Sequence, residues 1–492
     1  MNGSSRHHAH LRCINPECAA DYPISRTAFL CAACGELLDV VYDWDAAHRS
    51  LGFSRDAGVF AARQWSGAAY ASVGSGPHSS NAAINSSGVW RFRELLPFWE
   101  GEDQIVSVGE GRTLLQPADA LGGKVGFGPG ELFLQYEGFN PSGSFKDNGM
   151  AGAFTHARMV GASRVVCAST GNTSASLAMF ASLAPGAMRG FVLIGSGKIA
   201  YGKLSQALDY GARTLQVAGD FDACLARVQE IALGRPELGI YLMNSINPFR
   251  LEGQKTIMFR ILEALGWSGA TAPDWIVTPG GNLGNTSAFG KAFMELESLG
   301  MLPGGKRPRL AVINAAGART LDRFHNELGL RWNEGRYDRA KVKAEYERMD
   351  RAGERAHTIA SAIEIGRPVN LPKALRALEF MNGVVRAVDD PTILEHKALI
   401  ARHGYGCEPA CAASLAGAAL LRREGVIKPG ERVACVITGH QLKDPDATVK
   451  YHTGIDMKLA QDGAPRAEPK GAISNRPVPV ADEVEAILRA ME

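Results

Sequence analysis

The chain reads LFLQYEGFNPSGSFKDNGM over residues 132–150. The apolar run 132–136 predicts a buried strand, and residues 144–160 predict a helix because their apolar positions recur at helical spacing. A Pro-Ser-Gly turn separates the two. This stretch therefore predicts a strand, a tight loop and a helix, with Lys146 just inside the start of the helix.

The same alternation of strand and helix continues along the chain. Further strands are predicted at 164–168, 191–194, 214–217, 241–243, 275–278, 310–313, 384–388 and 433–437. Near-continuous apolar strands that alternate with helices are typical of parallel sheets covered on both faces. We therefore expect an α/β fold whose ligands bind at the carboxyl ends of the strands, in the loops that lead into helices.

Composition limits the possible functions. The 492 residues suffice for two or three domains, and 46% of them are hydrophobic. The formal net charge is only +2, so we expect no nucleic-acid partner. No apolar run is long enough to span a bilayer, so we expect no membrane partner. Some of the nine cysteines, such as Cys167 and Cys435, lie in apolar segments, which favours a reducing, cytoplasmic location.

The loops after the predicted strands carry the unusual residues. A lysine at a helix N-terminus faces partial positive charge, which favours the neutral amine that a Schiff base requires, although a lone lysine there is usually a surface residue. Hydroxyls and backbone amides at 168–174 suit an anion. The glycines of 279–286 allow N–H groups to converge on a phosphate. Thr438 could face a cofactor ring, whereas His440 alone is more often structural.

Taken in order, these motifs resemble the threonine synthases, which belong to fold type II of the pyridoxal-phosphate enzymes. The segments are PSGSFKD (141–147), STGNTS (169–174), NSINPFRLEGQKT (244–256), GNLGN (281–285) and TGHQLKDP (438–445). The resemblance implies two parallel-sheet domains of three layers each and a short cysteine ribbon. The implied boundaries are 10–45 for the ribbon, 90–150 with 266–460 for a large domain, 151–265 for a small mobile domain and 461–492 for a C-terminal arm.

The resemblance also implies roles for individual residues. Lys146 would form the Schiff base with pyridoxal 5′-phosphate and transfer protons. The other cofactor-binding residues would be Asn172, Gly281, Asn282, Leu283, Gly284, Asn285 and Thr438. The substrate-binding residues would be Ser169, Thr170, Thr173, Asn244 and Arg250. The implied substrate is O-phospho-L-homoserine, converted with water to L-threonine and phosphate, and the expected assembly is a homodimer.

Three positions differ from the residues that the family often has. Ser142 replaces threonine and keeps the hydroxyl, Asn148 replaces arginine and removes a positive charge, and Gln441 replaces glycine beside the expected ring-nitrogen partner. The changes at Asn148 and Gln441 affect the prediction of the exact substrate and leave the prediction of the cofactor intact.

Four cysteines near the start form two pairs, Cys13 with Cys18 and Cys31 with Cys34. Four thiolates at such spacing can hold structural zinc, and many threonine synthases have a similar ribbon. The alternative is a metal-free ribbon with reduced thiols.

Other functions remain open from the sequence alone. Within the same fold, the chain could be a cysteate synthase-like enzyme that replaces the phosphate of O-phosphoserine, or a threonine or serine dehydratase. In a different class, the ribbon could bind nucleic acid beside a catalytically silent scaffold. The near-neutral charge and the intact Lys146 motif argue against that reading.

Overall fold

The computed structural model describes residues 8–27, 29–53, 55–63, 84–183, 188–195, 201–218, 221–455, 471–475 and 477–491. Three sheets are found within these ranges: an antiparallel sheet of three strands, a sheet of six and a parallel sheet of four. Of the helices in this part of the chain, none has both the length and the apolar character needed to cross a membrane.

The N-terminal ribbon is the antiparallel sheet. Its strands are β1 (Ala9–Cys13), β2 (Asp21–Pro23) and β3 (Leu38–Tyr42), with β1 in the centre. The helices α1 (Trp44–Leu51) and α2 (Gly58–Ala62) follow. The ribbon packs onto the body of the protein, because Phe29 contacts Tyr241 and Phe249 edge-on and the backbone oxygen of Ile24 lies 2.6 Å from Nε2 of His156.

The six-stranded sheet forms the larger body, in the order β12-β11-β10-β13-β5-β4. Its strands are β4 (Leu114–Pro117), β5 (Leu132–Tyr136), β10 (Trp275–Pro279), β11 (Arg309–Ala315), β12 (Val384–Val388) and β13 (Val433–Ile437). All pairs are parallel except β4 with β5. The central strands β10 and β13 are buried along their whole length, as expected for a sheet covered on both faces.

The four-stranded sheet is parallel throughout, in the order β8-β7-β6-β9. Its strands are β6 (Arg164–Ala168), β7 (Arg189–Gly195), β8 (Arg213–Val217) and β9 (Ile240–Leu242). The remaining helices are α3 (Asp119–Lys124), α4 (Lys146–Met159), α5 (Asn172–Leu183), α6 (Tyr201–Asp209), α7 (Phe221–Gly234), α8 (Pro248–Ala264), α9 (Gly284–Ser298), α10 (Thr320–Asp322), α11 (Arg339–Arg351), α12 (Leu371–Phe380), α13 (Asp390–Arg402), α14 (Pro409–Arg423), α15 (Pro445–Thr453) and α16 (Val484–Met491).

Helices α4 and α8 lie in unusually close contact. A Cβ atom on Gly253 of α8 would lie 1.8 Å from the backbone oxygen of Asn148, and one on Gly152 of α4 would lie 2.4 Å from that of Phe249. Only glycine permits this approach at either position. The contact brings the first turn of α8, with Arg250, beside the first turn of α4, with Lys146.

The expected α/β class with parallel sheets and an N-terminal cysteine ribbon is confirmed. Strand β4 was not predicted, because four residues that end in proline give no clear period. Residues 461–470 of the expected C-terminal arm lie outside the described residues, and the division into a large and a small mobile domain remains a prediction.

Candidate active site

The carboxyl ends of the strands open onto one cavity of about 740 Å³. Every non-cysteine residue that the sequence singled out for the cofactor or the substrate lines it: Lys146, Ser169, Thr170, Asn172, Thr173, Asn244, Arg250, Gly281, Asn282, Leu283, Gly284, Asn285 and Thr438. These residues follow strands of both parallel sheets, so a single cavity collects loops that are distant in sequence.

Strand register brings Lys146 and Thr438 together. Strands β13 and β5 are parallel neighbours, with Ile437 opposite Tyr136, so the loops that follow them begin at the same edge. The backbone N–H of Phe145 donates to the backbone oxygen of Thr438 at 2.9 Å. The start of α4 is thus fixed to the end of β13 by a main-chain hydrogen bond.

The amine of Lys146 is poised to be neutral. The pKa of Lys146 is lowered to about 7, chiefly by burial and also by the positive charge of Arg250, while the carboxylate of Glu408 acts to raise it. Its Nζ lies 4.3 Å from the centroid of the Phe145 ring. The helix N-terminus was the cause predicted from the sequence, whereas burial and Arg250 are the main causes of the lowered pKa in the structure. A substantial fraction of this amine is therefore nucleophilic near neutral pH.

Asp147 holds the loop that precedes Lys146. Its carboxylate accepts the backbone N–H of Ser142 at 2.7 Å and the hydroxyls of Ser142 and Ser176 at 2.6 and 2.5 Å. Burial raises the pKa of Asp147 to about 6. These bonds tie the Pro-Ser-Gly turn to α4 and α5 and so fix the lysine that follows.

Asn148, one of the three departures from the family pattern, has a defined partner. Its amide donates to the Glu137 carboxylate at 2.7 Å. Arg260, from α8, also donates to Glu137, at 2.8 Å. The positive charge that balances Glu137 therefore comes from a different helix, and Glu137 stays paired although residue 148 is uncharged.

The glycine-rich loop after β10 has the features of a phosphate cradle. A Cβ on Gly281 would lie 3.1 Å from Cα of Ile363, so the backbone passes close to its neighbours there. Leu283 has a left-handed backbone (φ 63°) at the start of α9 and makes no side-chain cap. Two buried side-chain oxygens nearby, Oδ1 of Asn285 and Oγ1 of Thr286, have no hydrogen-bond partner among the described residues. An uncapped helix start beside the unpaired hydroxyl of Thr286, which can donate a hydrogen bond, fits an anionic ligand.

Arg250 is buried rather than on the surface. It is only 1% exposed, and its Nη1 donates to the backbone oxygen of Met243 at 3.0 Å. Its Nε and Nη2 have no hydrogen-bond partner among the described residues. Burial lowers the pKa of Arg250 to about 10, so it stays charged at neutral pH. A covered, charged guanidinium with free N–H groups on the cavity wall fits an anion-binding role.

Asn244 has a more structural position than its expected substrate contact implied. Its Oδ1 accepts the backbone N–H of Ala168 and its Nδ2 donates to the backbone oxygen of Ala168, both at 3.0 Å. Both ends of the amide are therefore occupied by the end of β6. Asn244 holds in place the loop that carries Ser169 and Thr170.

Sequence reasoning missed Glu408, which lines the same cavity. It is 6% exposed, and its Oε1 accepts Nδ2 of Asn172 at 2.7 Å. A usable signal was present, because Glu408 directly precedes the almost wholly apolar helix α14, which begins at Pro409. A carboxylate at the start of a buried helix points towards a buried partner or a ligand.

The four N-terminal cysteines form one cluster. Their sulfur atoms all lie within 4.8 Å of one another, with Sγ of Cys13 and Cys34 3.4 Å apart and Sγ of Cys18 and Cys31 3.6 Å apart. In a tetrahedral zinc site with bonds of about 2.3 Å, neighbouring sulfurs are separated by about 3.8 Å. The cluster fits a structural zinc ion, and four thiolates leave no open position for catalysis.

We expect purified protein to contain one zinc ion per chain and Cys31→Ser to lose it. Because the ribbon packs on Tyr241 and Phe249, loss of the metal should also lower the thermal midpoint by several degrees. Metal analysis and a thermal melt measure both effects. Cys224→Ser, a buried cysteine outside the cluster, should retain the metal, and equal metal content in both variants would contradict the assignment.

Comparisons with known proteins agree with this site. The family model for pyridoxal-phosphate dependent enzymes matches residues 106–439. A threonine synthase from Methanocaldococcus jannaschii is 40% identical over 440 residues, which cover 89% of this chain and 94% of that protein. One from Synechocystis sp. is 38% identical over 77% of this chain and 91% of its own length. The crystal structure of threonine synthase from Escherichia coli shares the fold, with a TM-score of 0.58, 20% identity and 90% of each chain covered.

Proposed function

Since the chain belongs to the threonine synthases, a family of pyridoxal-phosphate-dependent enzymes, we propose that it converts O-phospho-L-homoserine and water to L-threonine and phosphate in the cavity at Lys146. The observation that carries this proposal is that two groups line the same cavity. One is the amine of Lys146, whose pKa is about 7, and the other is the buried guanidinium of Arg250, which has two nitrogens without a hydrogen-bond partner among the described residues. One group can bind a cofactor covalently, and the other can hold a substrate phosphate.

The cofactor, when bound, supplies a ring that withdraws electrons from the carbon atoms of the attached amino acid. We propose that the loop Gly281–Asn285 holds its phosphate through backbone N–H groups. Asn172 would contact the 3′-oxygen of the ring, and Thr438 would contact the ring nitrogen. The unpaired hydroxyl of Thr286, which can donate to a phosphate oxygen, and the uncapped start of α9 support this placement.

The substrate would be held by two groups of residues. Arg250 would bind its phosphate with Nε and Nη2, because a guanidinium can hold two phosphate oxygens at once. Ser169, Thr170 and Thr173 would hold its carboxylate, since they line the cavity at the start of α5. Asn244 would act by fixing this loop.

Lys146 would carry the protons. As a neutral amine it can remove a proton from the α-carbon and then one from the β-carbon, so that the bond from the γ-carbon to the phosphate oxygen breaks and its electron pair leaves with the phosphate. As an ammonium it can return one proton to the γ-carbon and, after water has added, one to the α-carbon. The β-carbon then gains the hydroxyl group of a water molecule. The released phosphate, still held by Arg250, is our candidate for the base that takes the proton from that water. Movement of the four-stranded sheet over the substrate would exclude water until that step.

The relatives favour this reaction over the alternatives that the sequence left open. The threonine synthases reported above match most of the chain at close to 40% identity. We also propose a homodimer and a cytoplasmic location. The five cysteines outside the N-terminal cluster are buried thiols, which supports a reducing compartment.

The decisive assay supplies purified protein with O-phospho-L-homoserine and measures phosphate release and the amino-acid product in the same sample. Equimolar phosphate and threonine are expected. Phosphate with 2-oxobutanoate and ammonia in place of threonine would mean that phosphate is eliminated but that no water adds to the β-carbon. If only O-phosphoserine were turned over, the substrate of this site would be an amino acid one carbon shorter.

A further inference from the structure

Glu408 is a covered carboxylate in the wall of the cavity. It precedes α14, and its backbone N–H donates to the backbone oxygen of Gly439 at 3.3 Å. Its side chain contacts Asn172, the residue expected to bind the 3′-oxygen of the cofactor ring. Burying a carboxylate costs free energy unless the charge has partners. Lys146, which lines the same cavity, is a candidate for such a partner.

We propose that Glu408 is a positioning residue that orients the amide of Asn172 and places a negative charge beside Lys146. This inference rests on the proposed function, because it assigns Glu408 a task in the same site. No role for Glu408 was predicted from the sequence.

The orientation of Asn172 follows from hydrogen-bond chemistry. Its amide has two N–H donors on one nitrogen and an acceptor oxygen at the other end. An ionised carboxylate can only accept, so Glu408 selects the nitrogen end and occupies one of the two N–H groups. The second N–H is left for the 3′-oxygen. Without Glu408, the amide could instead turn its carbonyl towards that oxygen and repel it.

The charge of Glu408 acts on groups from three directions. Lys146 on α4 and Lys443 after β13 interact with it electrostatically, as does the Cys411 thiol on its own helix. The carboxylate favours the protonated form of the Lys146 nitrogen, against the opposing effects of burial and of Arg250. It therefore keeps this nitrogen able to give a proton back.

The backbone at the start of α14, which carries Glu408, is held against the end of β13. A Cβ on Gly439 would lie 2.5 Å from Oε1 of Glu408, so the carboxylate lies directly against the backbone of Gly439. One turn along α14, Sγ of Cys411 accepts the backbone N–H of Gly439 at 3.0 Å and lies 3.1 Å from Oγ1 of Thr438. The start of α14 and the end of β13 thus form one fixed unit.

The test compares the holoenzyme with Glu408→Gln, which keeps an acceptor for Asn172 and removes the charge. The visible absorbance of the bound cofactor reports protonation of the Lys146 nitrogen, and it is titrated without substrate. We expect its midpoint to fall by about one pH unit in the variant, since a lost negative neighbour disfavours the protonated form. Glu424→Gln, at the far end of the same helix, should leave the midpoint unchanged. An unchanged midpoint in Glu408→Gln overturns the proposal.

A double-mutant cycle tests the route through Asn172. We expect Glu408→Ala and Asn172→Ala each to weaken cofactor binding, and the double variant to be no weaker than the worse single variant. Losses that multiply would mean that Glu408 acts independently of Asn172 and would overturn the orienting role. Neither readout needs turnover, so failure of the threonine assay on the wild type would remain a separate result.

Discussion

Lys146→Ala should lower kcat by about 10³-fold or more and remove the visible absorbance that covalent attachment of the cofactor produces. The residue supplies both the amine that binds the cofactor and the group that moves protons at the α- and γ-carbons. Lys146→Arg should be equally inactive, because arginine keeps the positive charge but stays protonated and cannot form the covalent bond. Absorbance spectra and threonine formation measure the two effects.

The matched control is Lys124→Ala, at the exposed end of α3, which should retain wild-type absorbance and turnover. Circular dichroism shows whether Lys146→Ala has folded. If that variant folds, keeps the absorbance band and still forms threonine, another amine binds the cofactor and the assignment of Lys146 is wrong.

Much of this site could be predicted because chemistry and strand order point to the same loops. The run 132–136 forms β5 as predicted, and the helix predicted at 144–160 is observed at Lys146–Met159. Buried parallel strands have continuous apolar runs, and short loops at their ends must supply the polar residues. Residues from these loops therefore meet at one edge even when they are far apart in sequence.

The parts that could not be predicted depend on contacts between distant segments. Asn172 and Glu408 are separated by 236 positions, and no local pattern links them. No local pattern links Asn244 to Ala168 either, although both ends of the Asn244 amide hydrogen-bond to the backbone of Ala168. The main causes of the lowered pKa of Lys146, burial and Arg250, are also tertiary. Sequence shows which side chains are chemically unusual, whereas packing decides which of them remain unpaired.

Arg250→Met should raise KM for O-phospho-L-homoserine by about 10- to 100-fold, because a charge-assisted contact to a phosphate contributes about 1.5–3 kcal/mol. Methionine replaces much of the buried volume without a charge. Arg250→Lys should recover only part of the affinity, since an ammonium lacks the planar fork of the guanidinium. The inhibition constant of inorganic phosphate should rise in parallel with KM, and steady-state kinetics measure both.

Arg250 also lowers the pKa of Lys146, so its loss should move the lysine's titration upwards from about pH 7. The lower limb of the pH profile should therefore shift to higher pH in Arg250→Met. Arg227→Met, at an exposed arginine on α7, should change neither KM nor the profile. The assignment would be wrong if Arg250→Met bound the cofactor more weakly while KM and the inhibition constant of phosphate stayed unchanged. Arg250 would then bind the cofactor phosphate, and the substrate phosphate would require a different cation in the cavity wall.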